Sequence, residues 1–362
     1  MTERVANFNP GPAALPLEVL QRAAQEMLSF EGSGMSILEH SHRGPVYERV
    51  HGEAIALLTQ LLRVPESHRI LLLEGGAHQQ FAMVPMNLRT DVHAGDYVIT
   101  GRWARKAYIE ASRVGPASIA ANVEQEGTYT RVPSQDELVL SPDAAYLHVT
   151  SNNTLYGTQF HDFPAVASTP LVADMSSDLL SRPIEVSRFG LIYAAAQKNL
   201  GAAGVTVVII RADLLDRCRT DIPEIFQYGA HARENSLYNT APTFAIYIMR
   251  NVLAWLQELG GVDYAQRQAQ AKASMVYGLL DRHPDFFRSS IARTARSHMN
   301  VCFHLPTEEL NAAFVAEAAA QGMVGLKGHR VVGGVRVSLY NPVSLDQVTR
   351  LVEFMTAFRA SY

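Results

Sequence analysis

The stretch Ala194-Ala195-Ala196-Gln197-Lys198-Asn199-Leu200-Gly201 constrains this chain most. An apolar run, Gly190-Leu191-Ile192-Tyr193, leads into it, and a second, Val205 to Ile210, leaves it. Both read as buried strands. A lysine between buried strands is costly unless it is paired or used chemically. Lysine is also scarce: the chain has four, Lys106, Lys198, Lys272 and Lys327. Two readings of Lys198 are open. It is an ion-pair residue, or it is an imine-forming amine whose pKa is lowered by burial and a nearby cation.

The surrounding pattern bears on that choice. Strands are expected at Ile70–Glu74, Asp96–Ile99, Ala145–Thr150 and Pro170–Asp174, each ending in small or polar residues. Such a series describes an open parallel sheet with ligand groups at the carboxyl ends of its strands. After the first strand, Gly75-Gly76-Ala77-His78 opens a helix, a geometry that aims backbone N–H groups at an anion or simply makes a tight turn. Gly101-Arg102-Trp103 opens another, with Trp103 as core or as a platform for a flat cofactor. Asp174 ends its strand as a cap or as a partner of Lys198. In a βαβ-like layout the exits at Asp174 and Lys198 lie side by side.

Helical spacing covers Pro16 to Phe30, with Leu17, Leu20, Ala24, Met27 and Leu28 on one face. Further helices are expected at Pro45–Leu62, Arg211–Thr220, Phe244–Leu259 and Val262–Asp281. Gly260-Gly261 marks a domain change. The C-terminal part reads α+β: strands at Val301–Leu305 and Val335–Tyr340, helices at Glu308–Gln321 and Leu345–Arg359. Its loop Lys327-Gly328-His329-Arg330, with Arg336 beyond, suits a carboxylate or phosphate, or is a solvated basic hairpin.

The chain has 362 residues, a length for two domains. Net charge is −4 and no block of like charges occurs, so neither nucleic acid nor an anionic membrane is an expected partner. No apolar run is long enough to span a bilayer, and Met1 to Phe8 has no signal-peptide core. A cytoplasmic protein is expected. Cys218 and Cys302 lie far apart, with no metal-ligand spacing. No metal is expected.

Asp174, Lys198, Trp103 and Thr154 at strand ends form the set that pyridoxal phosphate requires. That cofactor needs an amine, an acid at its pyridine nitrogen, an aromatic face and donors around its phosphate. The chain resembles the phosphoserine aminotransferases, fold-type I pyridoxal-phosphate enzymes, nearly end to end. The resemblance rests on Asn9-Pro10-Gly11-Pro12, Ser41-His42-Arg43, Gly75-Gly76, Gly101 to Trp103, Asn153-Thr154, Ala173-Asp174-Met175-Ser176-Ser177, Ala196-Gln197-Lys198-Asn199, Tyr238-Asn239-Thr240 and Lys327-Gly328-His329-Arg330.

The resemblance implies an α/β fold. A large cofactor domain, residues 14–258, carries a mostly parallel seven-stranded sheet flanked by helices. A smaller α+β domain takes residues 1–13 and 259–362. The implied reaction is the reversible transamination of 3-phosphohydroxypyruvate with glutamate to phosphoserine and 2-oxoglutarate. A phosphorylated four-carbon keto acid of pyridoxine biosynthesis is implied as a second substrate. Lys198 would hold the cofactor and move the proton. Asp174 would pair with the pyridine nitrogen, Trp103 would stack on the ring and Thr154 would bond its phenolic oxygen. Gly76, Ala77 and Gln197 would hold the cofactor phosphate, with Asn239 and Thr240 reaching it from the second subunit of a homodimer. Arg336 would grip the α-carboxylate. His42, Arg43, His329 and Arg330 would bind the distal anion across the interface.

His78 stands where some members carry arginine, which points to weaker or more pH-dependent phosphate binding. Three alternatives compete. A cysteine desulfurase needs an exposed nucleophilic thiol, whereas Cys302 sits in a strand pattern and Cys218 in a helix. A serine–glyoxylate-type transaminase has no need of the basic loop. A phosphometabolite-binding protein has no need of Lys198.

Overall fold

The computed structural model describes residues 4–90 and 93–362. The N-terminal limit of the smaller expected domain, residues 1–3, lies outside the described residues. Seven strands form the central sheet: β1 (His68–Gly75), β2 (Gly95–Ile99), β3 (Ala117–Asn122), β4 (Tyr146–Thr150), β5 (Leu171–Asp174), β6 (Leu191–Ala195) and β7 (Gly204–Arg211). Their order across the sheet is β1-β7-β6-β5-β4-β2-β3. Six run in one direction. β7 alone is antiparallel, to both β1 and β6. The reason is chain length: the turn 196–203 that carries Lys198 is too short for a crossover, so the chain must double back.

Both faces of the sheet are covered. Leu72, Val98, Ile192, Ala194 and Val207 pack on one side. Their neighbours Leu71, Leu73, Tyr97, Leu191, Tyr193 and Val208 pack on the other. Burial on both faces explains why these strands read as unbroken apolar runs. Helices α1 (Leu17–Glu26), α2 (Pro45–Leu62) and the later α7 (Thr243–Glu258) cover the first face. α3 (Ala77–Leu88), α4 (Arg102–Val114) and the short α5 (Ala212–Asp216) and α6 (Tyr228–Arg233) cover the second.

A further core gathers Phe8, Val276, Phe303, Phe314, Val337 and Phe354. It is built on the antiparallel pair β8 (Asn300–Phe303) and β9 (Val335–Ser338), with α9 (Glu308–Ala320) and α10 (Leu345–Ser361). Ala6–Asn7 joins it by parallel pairing with Met323–Val324. α8 (Gly261–Arg282) belongs to both cores: Val262 and Ala265 face the first, Ala273 to Leu280 the second.

Four expectations change. β3, with the sequence Ala-Ser-Ile-Ala-Ala-Asn, carries a single β-branched residue and gives no strand signal. The link from β5 to β6, residues 175–190, contains only a 3₁₀ turn at Val186–Arg188 rather than an α-helix. The helix expected over Arg211–Thr220 shrinks to α5, which leaves Cys218 beyond its end. In α1 the buried residues are Val19 and Ala23, while Leu17 is 46% exposed and Leu28, just beyond its end, 86%. The residues expected on one apolar face are not the buried face of this helix.

Candidate active site

β5 and β6 are adjacent and parallel, with Asp174 opposite Tyr193. Asp174 closes β5, and the turn after β6 delivers Lys198 beside it. That turn is tied by Lys198 N and Gly201 N, which both donate to Ala196 O at 2.7 Å. Gly201 lies at φ +149°, and a Cβ there would stand 3.0 Å from the Met249 backbone, so the turn needs glycine to sit against α7. From the N-terminal segment Ala13 N donates to Gln197 O at 2.9 Å. A side chain at Gly11 would meet Lys198 Cγ at 3.3 Å. The amine is thus enclosed between the sheet and the N-terminal segment.

Lys198 Nζ donates to Thr154 Oγ1 at 2.9 Å. Among the described residues no carboxylate lies within ion-pair distance of it. The ion-pair reading therefore lacks its partner. Burial pulls the Lys198 pKa down to about 8; Asp174 opposes that shift and Arg336 adds to it. Asp174 is 5% exposed, and its burial raises the carboxyl pKa against the Ser176 hydrogen bonds and Lys198. Ser176 N donates to Asp174 Oδ1 at 2.9 Å.

A cavity of about 320 Å³ opens over this pair. Gly76 and Ala77 line it where α3 begins, so backbone N–H groups without helical partners border the space. The turn residue that needs its glycine is Gly75, at φ +99°; Gly76 is extended. Trp103 lines it from the first turn of α4. Gly101 just before it is required, because a Cβ would fall 2.3 Å from Asn153 Oδ1. Thr154, Gln197, His78 and His329 also line the cavity.

Arg336 reaches in from β9. It is 6% exposed, its Nη1 donates to Thr154 O at 3.3 Å, and its Nε has no partner. A buried guanidinium with spare donors and no carboxylate partner among the described residues suits an anionic ligand. An amine, a buried acid, an aromatic face, a helix start and this open fork are the donor set that pyridoxal phosphate needs, and they fit it.

His42, Arg43, Asn239, Thr240 and Arg330 do not line the cavity of the single chain. His42 Nε2 is nevertheless buried without a partner. His78 stands with its ring edge-on to Trp103, centroids 5.3 Å apart. Burial and then Lys106 lower its pKa, so it is mainly neutral near pH 7. Cys218 and Cys302 are both pushed up to about 12 by burial, which keeps each thiol protonated and removes the desulfurase reading. Among the described residues no group of three His, Cys, Asp or Glu could hold a metal.

Several contributors escaped sequence reasoning. Ser176 lines the cavity and accepts from Ala195 N at 3.1 Å. Tyr340 donates through its hydroxyl to Pro10 O at 2.9 Å. Asp178 is buried one turn from Asp174, held by Gln159 Nε2 at 3.0 Å and by Ser151 Oγ. Arg102, beside Trp103, adds to the positive field at His329, behind Arg336 in effect. Only the neighbouring Ser176-Ser177-Asp178 polarity was a usable signal.

The family described as aminotransferase class-V matches residues 5–351. Phosphoserine aminotransferase of Herpetosiphon aurantiacus is 50% identical over 356 residues, covering 98% of this chain and 99% of the relative. The solved phosphoserine aminotransferase of Bacillus circulans subsp. alkalophilus superposes with a TM-score of 0.97 at 48% identity, covering 99% of each chain. A pyridoxal-phosphate-bound phosphoserine aminotransferase from Trichomonas vaginalis superposes with a TM-score of 0.91 at 40% identity, covering 98% of this chain and 100% of that one. The seven-stranded α/β fold and the full-length identity agree, and the glyoxylate-type and binding-protein alternatives are not favoured. The chain belongs to the phosphoserine aminotransferases, class-V enzymes that use pyridoxal phosphate to transaminate 3-phosphohydroxypyruvate with glutamate.

Proposed function

We propose that Lys198 is the residue through which this chain performs that transamination. The observation that carries the proposal is an enclosed amine with a single hydroxyl partner at the floor of a cavity, next to a buried acid. Bound pyridoxal phosphate supplies an electron sink for the electrons released at the substrate α-carbon. Lys198 Nζ, with a pKa near 8, would carry the proton from the substrate α-carbon to the cofactor's former aldehyde carbon, the shift that transamination needs. Thr154 Oγ1, which accepts from that amine, would bond the cofactor's phenolic oxygen, Asp174 would pair with the pyridine nitrogen, and Trp103 would give the ring its platform.

Gly76, Ala77 and Gln197 are the donors for the cofactor phosphate. Arg336 forks the α-carboxylate shared by both amino acids. His329 and Arg330 take the distal phosphate or carboxylate. His42 and Arg43 join them, and Asn239 and Thr240 reach the cofactor phosphate, from the second chain of a homodimer. Two features support the dimer. These four residues lie outside the single-chain cavity, and the segment leading to His42 exposes Leu28 at 86%, Met35 at 41% and Leu38 at 55%. His78 borders the distal anion and contributes little charge.

The same basic cluster accommodates a phosphorylated four-carbon keto acid, so we extend the proposal to the pyridoxine-pathway substrate. Residues 14–258 form the cofactor domain, and 1–13 with 259–362 form the substrate-closing domain; the two separate cores support that division. No helix among the described residues is long and apolar enough to cross a membrane. The test is a half-reaction with phosphoserine, glutamate, alanine or cysteine, following the visible absorbance of the bound cofactor. Rapid change with the first two alone is expected. Equal response to alanine would overturn the assignment of the basic cluster.

A further inference from the structure

Lys272 lies in the middle of α8 and is 1% exposed. Its Nζ donates to three backbone carbonyls: Leu339 O at 2.9 Å, Tyr340 O at 2.8 Å and Val343 O at 2.9 Å. All three N–H groups of the ammonium are thereby used. Among the described residues no carboxylate lies within ion-pair distance. A buried ammonium held only by carbonyl dipoles is expensive to keep. Methionine or leucine would fill the position without that cost, so the turn it binds must gain something from it.

The turn 339–343 is bonded to several of the segments that border the active site. It continues directly from β9, which carries Arg336. Tyr340 donates to Pro10 O at 2.9 Å, beside the Gly11 that covers the Lys198 stem, and accepts from Asn300 Nδ2 at 3.4 Å. Asn341 N donates to the side chain of Asn199, the residue after Lys198, at 3.0 Å. Asn341 Nδ2 donates to Leu180 O at 2.9 Å, below the Asp174 strand exit. Leu339 N donates to Met299 O at 2.7 Å. One turn therefore joins the strand of the carboxylate fork to the loop of the catalytic amine and to the N-terminal cover.

We propose that Lys272 is a positioning residue for substrate binding: by gathering the carbonyls of 339, 340 and 343 it fixes the distance and angle between Arg336 and Lys198. It touches neither substrate nor cofactor. The inference rests on the assignment of Arg336 to the substrate α-carboxylate. Loss of Lys272 lets the turn relax, Arg336 withdraws from its place over Thr154, and both amino acids lose the same contact. Because that contact is made in the ground state and the transition state alike, the loss falls on KM more than on kcat. Gly76 and Ala77, two of the three donors proposed for the cofactor phosphate, start α3 and lie outside this tether.

The experiment uses the holoenzyme and compares wild type with Lys272→Met, Lys272→Gln and Asn341→Ala. KM for phosphoserine and for glutamate, kcat, and the affinity for pyridoxal phosphate are measured for each. Lys272→Met is expected to raise both KM values by the same factor, about tenfold or more, with cofactor affinity within about twofold of wild type. Lys272→Gln keeps two N–H donors of the three and falls between. Asn341→Ala, which cuts the tether at its other end, raises both KM values in the same direction and decides the matter if the Lys272 variants do not fold. KM values within about twofold of wild type in every folded variant, whatever their melting temperatures, overturn the inference while leaving the transaminase assignment in place. A wild-type protein that takes up no cofactor or shows no turnover overturns both.

Discussion

Lys198 and Lys272 are two enclosed lysines in one chain, and they sit in opposite surroundings. Burial pushes Lys272 down to about 7, whereas Lys198, whose burial is partly offset by Asp174, lies at about 8. Ranked by pKa alone, Lys272 would be the reactive amine. Geometry reverses the ranking. Lys272 spends all three donors on carbonyls that favour the ammonium and oppose the effect of burial, and it does not line the cavity over Lys198. Lys198 spends one on a hydroxyl and faces open space. An enclosed amine becomes a nucleophile when its environment leaves it under-bonded next to room for a partner.

The largest expected contrast comes from deleting each amine. Lys198→Ala should lower kcat by at least about 10⁴-fold with a melting temperature near wild type, since it removes both the cofactor link and the proton carrier. Lys272→Met should instead cost about 3 kcal/mol of stability, because three buried acceptors lose their donor. Steady-state rates and thermal melts on both variants check this. If Lys272→Met abolished kcat as Lys198→Ala does, the division between reactive and positioning amine would fail.

Next in size is the acid beside Lys198. Asp174→Asn keeps the shape of the β5 exit and removes the charge. Turnover should drop on the order of 10²-fold, with the visible band of the bound cofactor shifted. An unshifted band would place another group, such as Asp178, at the pyridine nitrogen. Arg336→Lys retains charge and loses the fork. KM should rise roughly tenfold or more for both amino acids with smaller change in kcat.

A smaller effect is carried by pH. The Lys198 pKa of about 8 lies below its ordinary value of 10.5. Between those two values the unfolded chain binds more protons than the folded one. In the cofactor-free protein this group therefore adds stability as pH rises through that window, and burying its charged form costs stability below pH 8. The free-amine fraction rises through pH 8, so cofactor attachment to the stripped enzyme should accelerate from about pH 6 and level off about one unit above the Lys198 pKa. A flat profile would contradict the assigned pKa. The smallest change belongs to His78→Ala. With His78 mainly neutral against Trp103, KM for phosphoserine should move less than about threefold near pH 7.

Most of the sheet was legible because strands buried on both faces leave unbroken apolar runs, as in Val205 to Ile210. The lysine turn, Asp174, Trp103 and the glycine pair were legible because each sits at a strand exit. β3 was not, since alanine and serine carry no strand preference. The face of α1 was misread because the single chain leaves Leu17 and Leu28 in solvent, so hydrophobic spacing there does not report its core. The roles of Tyr340, Arg102 and Lys272 were invisible for another reason. Their meaning lies in partners far along the chain: Tyr340 meets Pro10, and Lys272 meets a turn beyond β9. Lys272 in particular lies on the buried stripe of α8 with Ala265, Ala269 and Val276, where residue type alone would assign a lysine to solvent.

The central claim is that under-bonding next to a cavity, and not burial, selects the reactive lysine. Its most direct test is borohydride reduction of the holoenzyme followed by peptide mapping of the pyridoxyl adduct. The adduct is expected on Lys198 alone. Adduct on Lys272, or comparable labelling of both lysines, would contradict the account.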